Sequence, residues 1–143
     1  MSALKRLSIF PSPKKLGKRK WGTETLIALI PKKISLKILN FKKGKKGGLQ
    51  YHRKKNECGY ILKGKLLVRY VNEKNQIRSK ICKKGDAFHI TPGLIHQDEA
   101  LTDCTIIEAS TTHFNDRVRV EKKYGLKFTG GLKTTKLKDI KFR

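Results

Sequence analysis

Apolar and polar residues alternate in short runs between Thr25 and Ser110, and the runs are broken by glycine, proline and lysine. Thr25–Ile30 and Ile34–Phe41 are rich in Ile and Leu. In the second run Ile34, Leu36 and Ile38 take one parity and Ser35, Lys37 and Leu39 the other, the period of a strand with one face inward. Gln50–His52, Cys58–Leu62, Lys65–Val71, Ile77–Cys82, Ala87–Ile90, His96–Ala100 and Thr105–Ser110 read as further strands. Lys42–Gly48, Asn72–Asn75, Lys83–Asp86 and Thr91–Gly93 read as the turns between them, and Gly64 breaks one run from the next. No stretch within 21–110 shows a helical period with caps. Short strands with turn signals about every eight to twelve residues predict an all-β sandwich or barrel.

The pattern gives one barrel domain over 21–126 with short irregular termini. Residues 1–20 are basic, contain Pro11 and Pro13, and read as an N-terminal arm. Residues 111–126 are polar, with room for a short turn of helix. Residues 127–143, with Gly130-Gly131, read as a basic C-terminal tail, either a free end or an added strand.

Composition narrows the function classes. The 143 residues suit one domain with a single core. No apolar run approaches the roughly 20 residues of a membrane-spanning helix, and the N-terminus has no signal-peptide pattern. Cys58, Cys82 and Cys104 are odd in number and lack CxxC spacing, so reduced thiols and a cytoplasmic location are expected. The formal net charge of +24 predicts weak, salt-sensitive association with polyanions. Specific nucleic-acid recognition is not expected. The lysines are spread along the whole chain, they outnumber the arginines that favour bidentate contacts, and no RNA-binding signature is present.

The candidate chemistry lies in two blocks, GLQYHRKKNECGYILKG (48–64) and KGDAFHITPGLIHQDEA (84–100). Gln50 and His52 are two apart on a strand and share a face. Glu57 follows a short polar turn, at the start of the return strand. His96 follows the Pro92-Gly93 corner. If the blocks face each other across a barrel, Gln50, His52, Glu57 and His96 form a mixed nitrogen and oxygen set for one divalent metal. Zinc heads the candidates, with Mn, Fe, Co and Ni as alternatives.

These blocks resemble the paired motifs of the cupin superfamily, small jelly-roll barrels with a metal in the mouth. Within it they are most similar to the cupin domain of type II mannose-6-phosphate isomerases. Lys20-Trp21-Gly22-Thr23-Glu24 resembles that subgroup's opening. Leu49-Gln50, His52, Glu57 and Gly64 follow its first block, and Gly85, Pro92-Gly93 and His96 its second. Ile107-Glu108, Val118-Arg119-Val120-Glu121 and Tyr124-Gly125 resemble its closing segment. Gln50 takes the place of the missing ligand of the usual His-x-His pair, whose second position is Lys54. The chain departs from the subgroup at Gly48 for serine, Gly59 for tryptophan, Leu126 for arginine, and Gln97-Asp98 for a basic residue.

The resemblance implies aldose–ketose isomerisation of a sugar phosphate or a related anion. Such chemistry needs a base beside a carbonyl, a Lewis acid and cations for the phosphate. Glu108 closes an apolar run, where partial burial would raise its pKa, and with Arg119 it is the catalytic candidate. Lys37, Lys54 and His89 are the substrate-binding candidates. Lys37 points inward if polar residues line the mouth. His89, inside the FHI strand, faces the same cup or is a satisfied core histidine. A homodimer is expected, because such barrels commonly cover or exchange their sheet edges. The alternatives are a non-catalytic cupin that binds a sugar or nucleotide sugar, and a metal-dependent oxygenase.

Overall fold

The computed structural model describes residues 5–10, 13–114 and 116–127. Its strands are β1 (Lys14–Arg19), β2 (Gly22–Ile30), β3 (Ile34–Phe41), β4 (Gln50–His52), β5 (Glu57–Lys63), β6 (Lys65–Val71), β7 (Ile77–Lys83), β8 (Ala87–Ile90), β9 (His96–Ala100), β10 (Cys104–Ser110) and β11 (Arg117–Arg119), followed by a short 3-10 helix, Glu121–Tyr124. They form two antiparallel sheets in the orders β1-β2-β3-β10-β5-β8 and β11-β4-β9-β6-β7. This is the all-β architecture that the alternation predicts, in the jelly-roll form that the resemblance implies.

The turns follow from their residues. Asn72 Oδ1 accepts hydrogen bonds from the backbone N–H groups of Lys74 (3.0 Å) and Gln76 (2.9 Å), which closes the β6–β7 hairpin with Asn75 at φ 58°. Gly64 joins β5 to β6 at φ 86°, and a Cβ there would lie 2.1 Å from the carbonyl oxygen of Asp103. Only glycine fits that turn.

The sheets enclose two apolar clusters. The larger holds Leu39, Phe41, Ile61, Leu66, Val68, Ile90, Ala100, Cys104 and Ile106, with Trp21 packed against it. Trp21 stacks on Phe41 with ring centroids 4.1 Å apart. The smaller holds Leu26, Leu29 and Phe114. Along β3 the inward residues run Ser35, Lys37, Leu39, Phe41, all buried, while Ile34 is 45% exposed. The polar parity of this strand therefore faces inward, and a polar layer lies between the two apolar clusters.

One boundary differs from the sequence reading. Lys14–Arg19 is not a loose arm: it pairs antiparallel with β2, from Lys14 opposite Leu26 to Arg19 opposite Gly22. The first half of β2, residues 22–26, leaves an edge whose backbone groups need partners, and β1 supplies them. The tail over 127–143 lies outside the described residues apart from Lys127. Among the described residues no helix is long and apolar enough to cross a membrane.

Candidate metal centre

Sheet register brings the two sequence blocks together. Gln50 on β4 pairs directly with His96 on β9. His52 lies two residues along β4 on the same face. Glu57 opens β5 in the opposite sheet, and both its neighbours in register, Ser110 and Ile90, are buried. The His52 and His96 rings are 5.7 Å apart between centroids.

Glu57 Oε1 lies 3.6 Å from His52 Nε2 and 3.6 Å from His96 Nε2. One ligand atom from each of the three residues lies within 4.8 Å of the others. Ligand atoms about 2.1 Å from a tetrahedral metal stand about 3.4 Å apart, so the spacing suits a shared ion. The other ring nitrogens point away. His96 Nδ1 donates to the Leu94 carbonyl at 3.0 Å, and His52 Nδ1 faces Asp116 Oδ1 at 3.4 Å. A proton on Nδ1 leaves the Nε2 lone pair aimed at the centre, the arrangement that metal-binding histidines take. Gln50 Oε1 is a buried acceptor with no hydrogen-bond partner among the described residues. An orphaned carbonyl oxygen beside this cluster is what a fourth ligand looks like without its ion. The residues thus fit a divalent metal.

Charges around the cluster favour metal-ready protonation states. Burial, together with the positive charge of Lys55, lowers the His52 pKa to about 3, so the imidazole is neutral. Burial works to raise Glu57, but the Lys55 ammonium beside it outweighs burial and holds the carboxyl below its usual range. Lys55 Nζ bridges Glu57 Oε2 at 2.8 Å and Glu108 Oε1 at 3.0 Å. Burial alone would discharge this ammonium, but the carboxylates of Glu108 and Glu57 raise its pKa. Glu108 is itself pushed up, by burial first and then by Glu57. Asp98 follows His96 by two residues and lines the same cavity. Burial raises it to about 6, against the pull of His96, and its Oδ1 is a second orphaned acceptor.

The cavity measures about 100 Å³. That is below the roughly 300 Å³ at which ordinary small-molecule clefts begin. The cavity is large enough for one end of a small molecule and opens to solvent at its mouth. Glu24 sits on the cavity wall and receives Arg19 Nε at 2.9 Å and Lys37 Nζ at 2.7 Å. Lys37 Nζ also lies 4.7 Å from the centre of the Phe114 ring.

The other sequence candidates divide. Glu108 and Lys37 line the cavity, though each is held in an ion pair. His89 does not reach it. On β8 it pairs with Cys58, on the outer face of the sheet, and its Nε2 is 2.6 Å from Asn56 Oδ1. The strand parity that buries Ile90 turns His89 outward. Lys54 is exposed and absent from the cavity wall; its backbone N–H donates to Asp116 Oδ2 at 2.6 Å. Arg119 pairs with Glu121 through Nε, at 2.6 Å, and through its terminal nitrogen, and it lies off the cavity wall. Its guanidinium fills the space that a Cβ at Gly48 would take, which accounts for glycine there. Phe88 fills the space over Gly59 in the same way.

Lys55, Glu24, Asp98, Asp116 and Arg117 are the residues around the cluster that the sequence reading missed. The signal for Asp98 was its parity with His96, and for Lys55 its place in the turn two residues before Glu57; Glu24, Asp116 and Arg117 are brought in by pairing between distant strands.

The sequence profile of the family described as "Cupin domain" matches residues 37–112. No curated protein matches the chain. Among solved structures it is similar to the capsular polysaccharide assembling protein CapF from Staphylococcus aureus, with a TM-score of 0.66 and 20% identity over 76% of this chain and 34% of that one. It is also similar to oxalate decarboxylase from Bacillus subtilis, with a TM-score of 0.68 and 17% identity over 89% of this chain and 38% of that one. An oxalate oxidase aligns with a TM-score of 0.55 and 24% identity over 62% of this chain and 46% of that one. This chain therefore spans about a third of the length of CapF and less than half of the two oxalate enzymes. A further structure of the decarboxylase is described by its Mn(II) centres.

Proposed function

This chain belongs to the cupin family, and from that premise we propose that it is a divalent-metal enzyme that interconverts aldose and ketose forms of a sugar phosphate. The observation that carries the reading is Glu57 Oε1 at 3.6 Å from both His52 Nε2 and His96 Nε2, beside the orphaned Gln50 Oε1. These four residues would hold the metal. When bound, it supplies positive charge to a carbonyl oxygen, which acidifies the neighbouring C–H. Zinc suits the two imidazoles and two oxygens, and manganese suits the oxygen share of the set.

The chain's own groups do the rest in this reading. Glu108, raised by burial, accepts the proton from the carbon beside the carbonyl and returns it to the former carbonyl carbon, while the proton of the adjacent hydroxyl passes to the former carbonyl oxygen. Lys55 fixes the carboxylates of Glu57 and Glu108 and keeps them apart in role. The narrow cavity admits the carbonyl end and leaves the phosphate at the mouth.

The test is metal analysis of the purified protein followed by turnover of mannose 6-phosphate to fructose 6-phosphate. Absence of turnover with any hexose or pentose phosphate by metal-loaded protein refutes the isomerase. A second reading, a cupin that binds a sugar or nucleotide sugar without turnover, is favoured by the ion pair that ties Glu108 Oε1 to Lys55 at 3.0 Å. It predicts thermal stabilisation by ligand with no product. The proposed protein is a cytoplasmic homodimer. Ile34, Tyr60 and Leu62, exposed on the outer side of the six-stranded sheet, support the dimer, and light scattering measures its mass.

A further inference from the structure

Four cations and four carboxylates line the cavity: Arg19, Lys37, Lys55 and Arg117 against Glu24, Glu57, Asp98 and Glu108. Three of the cations are engaged with these acids. Arg19 and Lys37 share Glu24, and Lys55 bridges Glu57 and Glu108. The side chain of Arg117 is in none of these ion pairs, although its backbone pairs with β4. It is nonetheless aimed inward. It pairs across the ladder with His52, and directly opposed residues of a sheet project to the same side. His52 is buried against Glu57, so the Arg117 side chain rises from the same face, one strand nearer the rim. Its exposure places the guanidinium where the cavity meets solvent. Two residues on, Arg119 has the same parity, but Glu121 neutralises it.

A divalent ion at the cluster would leave this evenly charged wall with an excess of about two positive charges. An anionic ligand restores the balance. We propose that Arg117 is the oxyanion receptor of this pocket, gripping the phosphate or carboxylate of a short ligand whose other end lies at Gln50, His52, Glu57 and His96. The planar fork of a guanidinium presents paired N–H donors that match two oxygens of either group. The small cavity agrees, since it encloses one end of a ligand and brings the other to the height of Arg117. The inference deepens the proposed function, resting on its metal centre for the ligand's other end but not on turnover.

The test uses the full chain, metal-free and zinc-loaded, with zinc content measured in each sample. Inorganic phosphate and malonate are titrated calorimetrically into the wild type, Arg117→Met, Arg117→Lys and Lys63→Met, the last removing an exposed lysine from β5 as a control for general charge. Arg117→Met should weaken at least one anion on the order of tenfold, with Arg117→Lys between it and the wild type and Lys63→Met within about twofold of the wild type. Zinc content should not change. A larger effect on phosphate assigns a phosphorylated ligand, and a larger effect on malonate assigns a carboxylate. Equal losses in Arg117→Met and Lys63→Met, or no loss in either, overturn the proposal. Wild-type protein that takes up no zinc while Arg117 still governs anion binding refutes the metal reading and leaves the receptor standing.

Discussion

The buried triad of Glu24, Arg19 and Lys37 makes a stability prediction with a defined pH signature. Glu24 accepts Arg19 Nε at 2.9 Å and Lys37 Nζ at 2.7 Å, and the side chains of Lys37 and Glu24 are 5% and 11% exposed. Burial on its own would raise the carboxyl. Lys37 and then Arg19 outweigh it and lower the pKa from 4.5 to about 2. At about 1.4 kcal/mol per pH unit, that displacement is worth about 3 kcal/mol of folding free energy. The folded pKa is depressed, so the contribution is complete above pH 4.5 and disappears as pH falls from there through about 2. The perturbation is Glu24→Gln, which keeps the shape and removes the charge. Urea unfolding of metal-free protein, followed by Trp21 fluorescence at several pH values between 6 and 2, gives both stabilities. The wild type should exceed the variant by about 3 kcal/mol at pH 6, and the two should converge near pH 2. Other depressed carboxyls, such as Glu57 and Asp116, titrate in both proteins and cancel in the difference. A gap that stays constant across this range would show that the variant fails through packing, and the electrostatic argument would be wrong. No gap at pH 6 would place the triad among surface-like ion pairs that contribute little.

Gln50→Ala should weaken zinc binding by at least about tenfold in a chelator competition while leaving the far-ultraviolet circular dichroism unchanged, because it deletes only the orphaned acceptor beside the histidines. Lys55→Met should lower the stability of metal-free protein at pH 7 by about 3–5 kcal/mol in urea, since two buried carboxylates lose the ammonium between them. A nonspecific DNA duplex should bind at about 50 mM salt and lose most of its affinity by about 200 mM, as a fluorescence anisotropy titration would record; affinity that survives salt would reveal a specific nucleic-acid site instead.

The strands were legible because their limits are written locally. Ile34–Phe41, Gln50–His52, Lys65–Val71 and Ala87–Ile90 coincide in sequence and structure, each stopped by a turn rich in lysine, asparagine, glycine or proline. The clustering of His52, Glu57 and His96 was legible for a related reason: His52 shares a strand face with Gln50, and the other two open strands after marked turns. The cavity wall was not. Arg117 enters only because β11 pairs with β4, and Glu24 meets Lys37 only because β2 and β3 stand side by side. Arg119 was read as a catalytic candidate and Lys54 as a substrate contact, but their neighbourhoods are set by Glu121 and by the exposed turn before β5. β1 escaped notice because its basic composition hides an edge strand whose contribution is backbone pairing.

β3 shows why the period of a strand gives two faces without saying which is inside. Ile34, Leu36 and Ile38 form the more apolar parity, and burial in a core would favour turning them inward. The structure turns Ser35 and Lys37 inward instead, with Leu39 and Phe41 continuing the same face toward the larger cluster. Two facts decide it. The inward face changes character along its length, apolar at Leu39 and Phe41 and polar toward Ser35, so its average hydrophobicity understates its burial. Each inward polar group also has a partner from another strand. Ser35 Oγ is 3.0 Å from Ser110 Oγ, and Lys37 Nζ is 2.7 Å from Glu24 Oε1. A buried polar group is costly only when unpaired, and complementary partners at matching parity on β2 and β10 remove that cost. In a barrel with a polar interior, the inside of a strand is therefore identified by where its polar residues find partners.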